Sequence, residues 1–179
     1  MTSRPEMYRF HNGEKSKLPF LSAEYENRLS GLRSIMVKTG VETALFTSMH
    51  SIAYYSGFLY CSFGRPYGLV VTAKDQVTIS AGIDAGQPWR WSHGDNITYT
   101  DWQRDNFWRA ICKVTGKKSV IGYEGDHLTL DQFAKLNSTL EPNNTINLSV
   151  LIMQQRMQKS PAEITLIRKA ARIADIGGY

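Results

Sequence analysis

Ile97-Thr98-Tyr99-Thr100, running directly into Asp101-Trp102-Gln103, reads as a strand whose last residue opens a helix. Branched and aromatic side chains suit a pleated surface. The Thr-x-x-Gln spacing has the form of a capping box, in which a hydroxyl and an amide satisfy free backbone N–H groups. Phe107, Ile111 and Val114 then supply a helical apolar stripe. The same unit follows again: a strand over Ser119 to Tyr123, a capped start at Thr129-Leu130-Asp131-Gln132, a stripe of Phe133, Leu136 and Leu140, and a closing strand from Thr145 to Leu148. Two strand-helix units in succession predict a layered α/β domain.

Working outward, Tyr67 to Thr72 and Gln76 to Ser80 are strands separated only by Ala73-Lys74-Asp75, which predicts a hairpin and makes the sheet mixed. Val41 to Phe46 is a further strand. Before it, Tyr25, Leu29, Leu32 and Met36 recur at helical spacing from Ser22 onward, and Gly40 stands where a left-handed residue would end that helix. The expected fold class is therefore α/β, a mixed β-sheet flanked by helices. Residues 1–20 read as a surface arm and 21–158 as the α/β domain. Ser160-Pro161-Ala162-Glu163 combines an N-cap serine, a first-turn proline and a capping-box glutamate, so a new helix starts there. Its stripe of Ile164, Ile167, Ala171 and Ala174 has little partner in the preceding sequence, and 159–179 are expected to open a second domain.

The chain has 179 residues, 42% hydrophobic and 21% charged, enough for one ordinary core. No apolar run approaches the roughly 18 residues of a membrane span, and the first twenty residues lack the apolar core of a secretory leader; a cytoplasmic protein is expected. Cys61 and Cys112 are too few for a disulfide framework and are expected to be buried thiols. Net charge is +5, but no basic run exceeds pairs such as Lys117-Lys118, and no nucleic-acid motif appears.

His11, His50, His93 and His127 stand apart, without companions at ligand spacing, so no metal and no cofactor are expected. Glu124, Asp126 and His127 follow a strand closely, a common place for active residues, yet a polar turn explains them more simply. Neither a nucleophile elbow nor a phosphate loop is present. No catalytic residue is assigned, and residue types alone do not make this a self-sufficient enzyme. The segment Ser56-Gly57-Phe58-Leu59-Tyr60-Cys61-Ser62-Phe63-Gly64-Arg65-Pro66-Tyr67 is dense in aromatics around one arginine. It admits two readings: a loop packing rings over a sheet edge with Arg65 solvated, or a recognition loop in which an arginine fork binds a carboxylate and a ring covers a small cation.

At this loop the sequence resembles the creatinase family of the pita-bread superfamily, hydrolases that convert creatine and water to sarcosine and urea. The resemblance is carried by Phe58 through Tyr67, Gln87-Pro88-Trp89-Arg90, Tyr99-Thr100-Asp101-Trp102-Gln103-Arg104-Asp105-Asn106, and Ala171-Arg172-Ile173-Ala174-Asp175-Ile176-Gly177-Gly178, and extends over residues 20–178. It implies the amino-terminal domain of such a hydrolase, with a ribonuclease H-like motif, in a homodimer. Catalytic residues would lie in a following domain that these residues do not include. The resemblance further implies that Phe63 and Arg65 close over the partner subunit's site, the arginine on the creatine carboxylate. Two alternatives stand beside it: the corresponding domain of an X-Pro peptidase, and a non-catalytic pita-bread binding module.

Overall fold

The computed structural model describes residues 4–60 and 64–178. Over these, seven strands form one sheet in the order β1-β5-β4-β3-β2-β6-β7. The strands are β1 (Met7–Tyr8), β2 (Thr43–Phe46), β3 (Gly68–Thr72), β4 (Gln76–Ala81), β5 (Asp95–Tyr99), β6 (Val120–Tyr123) and β7 (Asn144–Asn147). Strands β2, β3 and β4 form an antiparallel meander with Leu45 opposite Val70 and Val70 opposite Val77. The pairs β4–β5, β2–β6 and β6–β7 are parallel. The sheet is thus mixed, as the hairpin and the repeated strand-helix units predict.

The helices are α1 (Ser22–Thr39), α2 (Met49–Ser56), α3 (Gln87–Arg90), α4 (Asn106–Thr115), α5 (Leu130–Leu140), α6 (Ser149–Met157) and α7 (Pro161–Gly177). Helix α1 buries Tyr25, Leu29, Leu32 and Met36, and Gly40 ends it at φ 73°. Full burial of each such side chain stabilises the fold by roughly 1.5–3 kcal/mol. The helices take both faces of the sheet. Phe46 and Leu69 are register partners on one face, where Phe46 meets the Tyr55 ring of α2 at 5.0 Å. On the other face, a Cβ added at Gly68 would meet Phe107 of α4 at 3.3 Å. Helix α1 packs beside both α2 and α6, and α5 beside α4.

Two helices expected from capping boxes start as predicted. Thr129 accepts from the Gln132 amide while Gln132 accepts from the Thr129 amide, and Ser160 and Glu163 form the same reciprocal pair. The third does not. Helix α4 begins at Asn106, with Asp105 at its N-cap in the left-handed region at φ 67°. The Thr100 hydroxyl donates instead to the carbonyls of Pro5 and Glu6, and Asn106 Nδ2 donates to Thr100 O. A tertiary contact has captured the capping hydroxyl. The same contact lies beside β1, which pairs antiparallel with β5, Met7 opposite Tyr99. Further along this N-terminal stretch, Lys15 Nζ donates to the carbonyls of Trp89, Ser92 and Gly94.

Among the described residues no helix is long and apolar enough to cross a membrane. Helix α7 has no buried residue, and Ile164, Ile167, Ile173 and Ile176 are exposed. Its first turn is nevertheless anchored. Arg28 of α1, 5% exposed, lies between the rings of Phe20 and Tyr54 and places Nη2 3.3 Å from Glu163, the same residue that completes the α7 capping box.

Candidate substrate-recognition site

The aromatic loop begins where α2 stops. Gly57, at φ 77°, caps that helix, and a Cβ there would stand 2.7 Å from the Tyr25 hydroxyl. Both the backbone angle and the space favour glycine. Phe58 is buried, and Tyr60 stacks on Tyr67 with ring centroids 4.2 Å apart while its hydroxyl donates to Thr47 O at 2.9 Å. The packing reading of the loop therefore holds for these rings.

Arg65 behaves differently. Its side chain is 46% exposed, and Nη1 lies 2.6 Å from Asp101 Oδ1. The backbone on its C-terminal side is pinned twice. The Tyr99 hydroxyl donates to Pro66 O at 3.0 Å, and the Tyr67 hydroxyl donates to Asp84 Oδ2 at 2.5 Å. Burial pushes the Tyr99 phenol well up; the Asp101 charge adds to that and Arg65 opposes it. Burial likewise raises Tyr67, reinforced by its bond to Asp84. Both phenols stay protonated and keep donating at physiological pH.

Three surface cavities meet at Arg65. One of about 620 Å³ is lined by Thr47, His50, Tyr60, His127 and Lys135 among others. A second, about 330 Å³, runs between Arg65 and the turn carrying Asp101, Arg104 and Asp105, with Lys135 at its wall. A third, about 610 Å³, has the exposed apolar side chains Leu59, Ile83 and Trp91. The guanidinium thus faces open, partly basic space. It is not buried in the domain core.

Phe63, the aromatic member of the expected pair, lies outside the described residues, as does Cys61. Cys112 is half-buried, short of the full burial expected of it. Glu124, Asp126 and His127 do not converge. Glu124 is 4% exposed and accepts from the Thr47 and Ser48 amides and from the Ser48 and Ser51 hydroxyls, at 2.6–2.9 Å. It clamps the first turn of α2 to the end of β6. Asp126 accepts from Ser149 Oγ at the start of α6. His127 Nδ1 is 2.8 Å from Thr47 Oγ1 and lines the cavity of about 620 Å³. Among the described residues no group of three or more His, Cys, Asp or Glu is placed to hold a metal ion.

Sequence reasoning missed Asp101 and Tyr99 as supports of Arg65. Their only signal was membership of the Tyr99 to Asn106 block that carries the resemblance.

Residues 28–158 match the family described as the Creatinase/Prolidase N-terminal domain. The chain is 48% identical over 172 residues to a creatinase from Bacillus sp. (strain B-0618), which covers 94% of this chain and 42% of the relative. It is 25% identical over 158 residues to a putative dipeptidase, YkvY, of Bacillus subtilis (strain 168), covering 84% of this chain and 43% of that one. The chain therefore spans less than half the length of these curated relatives. Among solved structures, an Xaa-Pro dipeptidase from Bacillus anthracis superposes with a TM-score of 0.70 at 22% identity, covering 85% of this chain and 41% of that one. The creatinase/prolidase N-terminal domain of an X-Pro dipeptidase from Streptococcus pyogenes gives 0.64 at 21%, covering 72% and 98%. At these identities the structures speak for the fold, and the family match covers most of the chain: it belongs to the creatinase/prolidase N-terminal domain family, related closely to bacterial creatinase.

Proposed function

We propose that this chain is the amino-terminal domain of a creatinase-like hydrolase that converts creatine, or a similar small guanidino carboxylate, with water to sarcosine and urea. Its part is recognition. In a homodimer, Arg65, with Phe63 beside it, reaches the partner subunit's active site and binds the substrate carboxylate, while a domain following residue 158 supplies the catalytic groups. The observation that carries this reading is the half-exposed Arg65 guanidinium, facing open cavities from a loop pinned on its C-terminal side. A guanidinium presents parallel N–H donors that match a carboxylate, which a lysine cannot reproduce. The 48% identity to a creatinase, against 25% to a putative dipeptidase, favours creatine over a dipeptide.

The test is steady-state kinetics on the full-length protein. Arg65→Ala is expected to raise KM for creatine by about 10- to 100-fold, the equivalent of one charge-assisted hydrogen-bonded pair. Arg65→Lys should fall between, keeping charge and losing the fork. Turnover and KM unchanged in both variants would remove Arg65 from the substrate site.

A further inference from the structure

Asp101 is 34% exposed, and its Oδ1 lies 2.6 Å from Arg65 Nη1. It sits two residues beyond Tyr99, whose hydroxyl holds Pro66 O, so one short segment grips the Arg65 loop by both backbone and side chain. The segment is itself fixed, because Asn106 Nδ2 donates to Thr100 O and to Thr100 Oγ1. An arginine side chain loses much rotamer entropy when it is immobilised. An ion pair engaging one terminal nitrogen removes much of that freedom before a ligand arrives, and leaves the other edge of the fork available for a carboxylate.

We infer that Asp101 is a positioning residue for Arg65: it holds the guanidinium in the orientation that receives a small carboxylate ligand, and acts on that ligand only through Arg65. The inference rests on the role proposed above for Arg65. A negative charge near an anion subsite also repels the incoming carboxylate. Here that repulsion is offset in part, because Arg104 and Lys135 line the same cavity, Lys135 Nζ lying 3.2 Å from Asp105 and 3.8 Å from Asp131.

A double-mutant cycle in the full-length protein decides it. Asp101→Ala and the near-isosteric Asp101→Asn are each expected to raise KM for creatine about three- to fivefold, the range of a partly exposed ion pair, with kcat within about twofold and the thermal midpoint unmoved. In an Arg65→Ala background, adding Asp101→Ala should leave KM unchanged. A KM that stays constant or falls on Asp101 substitution, or that rises equally in both backgrounds, overturns the inference while leaving Arg65's role intact. If Arg65→Ala itself does not change KM, the proposed role of Arg65 fails, and that of Asp101 with it.

Discussion

Glu124 and Asp101 are both carboxylates that secure the surroundings of the recognition loop, and they do so in opposite settings. Glu124 is 4% exposed and surrounded by four donors, two of them backbone amides. Asp101 is a third exposed and, among the described residues, pairs with one arginine. Desolvation decides the difference. A buried carboxylate has already given up its water and survives only if its partners are complete, so removing one side leaves costly orphans. A rim carboxylate keeps its water, so the loss of its ion pair costs the fold little. The first is a rivet for helix α2, the second, in the role proposed above, a support for Arg65.

The largest effect that tests this contrast is Glu124→Ala, which strands two amides and two hydroxyls in the interior. Chemical denaturation should show a loss of about 3 kcal/mol, with α2 the first segment to exchange its amide hydrogens. A loss below about 1 kcal/mol would erase the distinction. Ser51→Ala removes one of the four donors, and because its acceptor is charged the expected loss is about 1.5 kcal/mol. The smallest effect belongs to the other carboxylate. Asp101→Ala should change global stability by no more than about 0.5 kcal/mol, its consequence appearing in KM instead. An Asp101 variant that unfolds as readily as Glu124→Ala would make both residues structural.

How much could be read from the chain followed the range of the interactions. The buried stripe of α1 and its terminating Gly40 are local, and they were legible. So were the Thr129 and Ser160 capping boxes, whose partners lie three residues away. The identical pattern at Thr100 misled because the carbonyls that capture its hydroxyl belong to Pro5 and Glu6, over ninety positions distant. Helix α2 escaped notice: its eight residues are rich in aromatics, and Glu124, which holds its start, is 77 positions from Thr47. Helix α6 escaped too, since Leu148, fully buried, occupies its N-cap without any polar signal. At the candidate site, the loop carrying Arg65 stood out in the sequence by its residues and by the family resemblance. Its ion pair with Asp101 was not, because residues 36 apart in sequence meet only once β5 lies across the sheet from the loop.

The strand order has a kinetic consequence. Strands β2, β3 and β4 pair as chain neighbours, whereas β2 meets β6 only after the intervening chain has closed a far longer loop. Closure entropy grows with loop length, and distant pairing slows folding. The meander is thus the natural nucleus, onto which β6 and β7 condense late, and the Glu124 clamp forms among the last contacts. The aromatic loop joins α2 to β3, so its base is shaped by that early hairpin, while the helix feeding it waits for a carboxylate that arrives at the end.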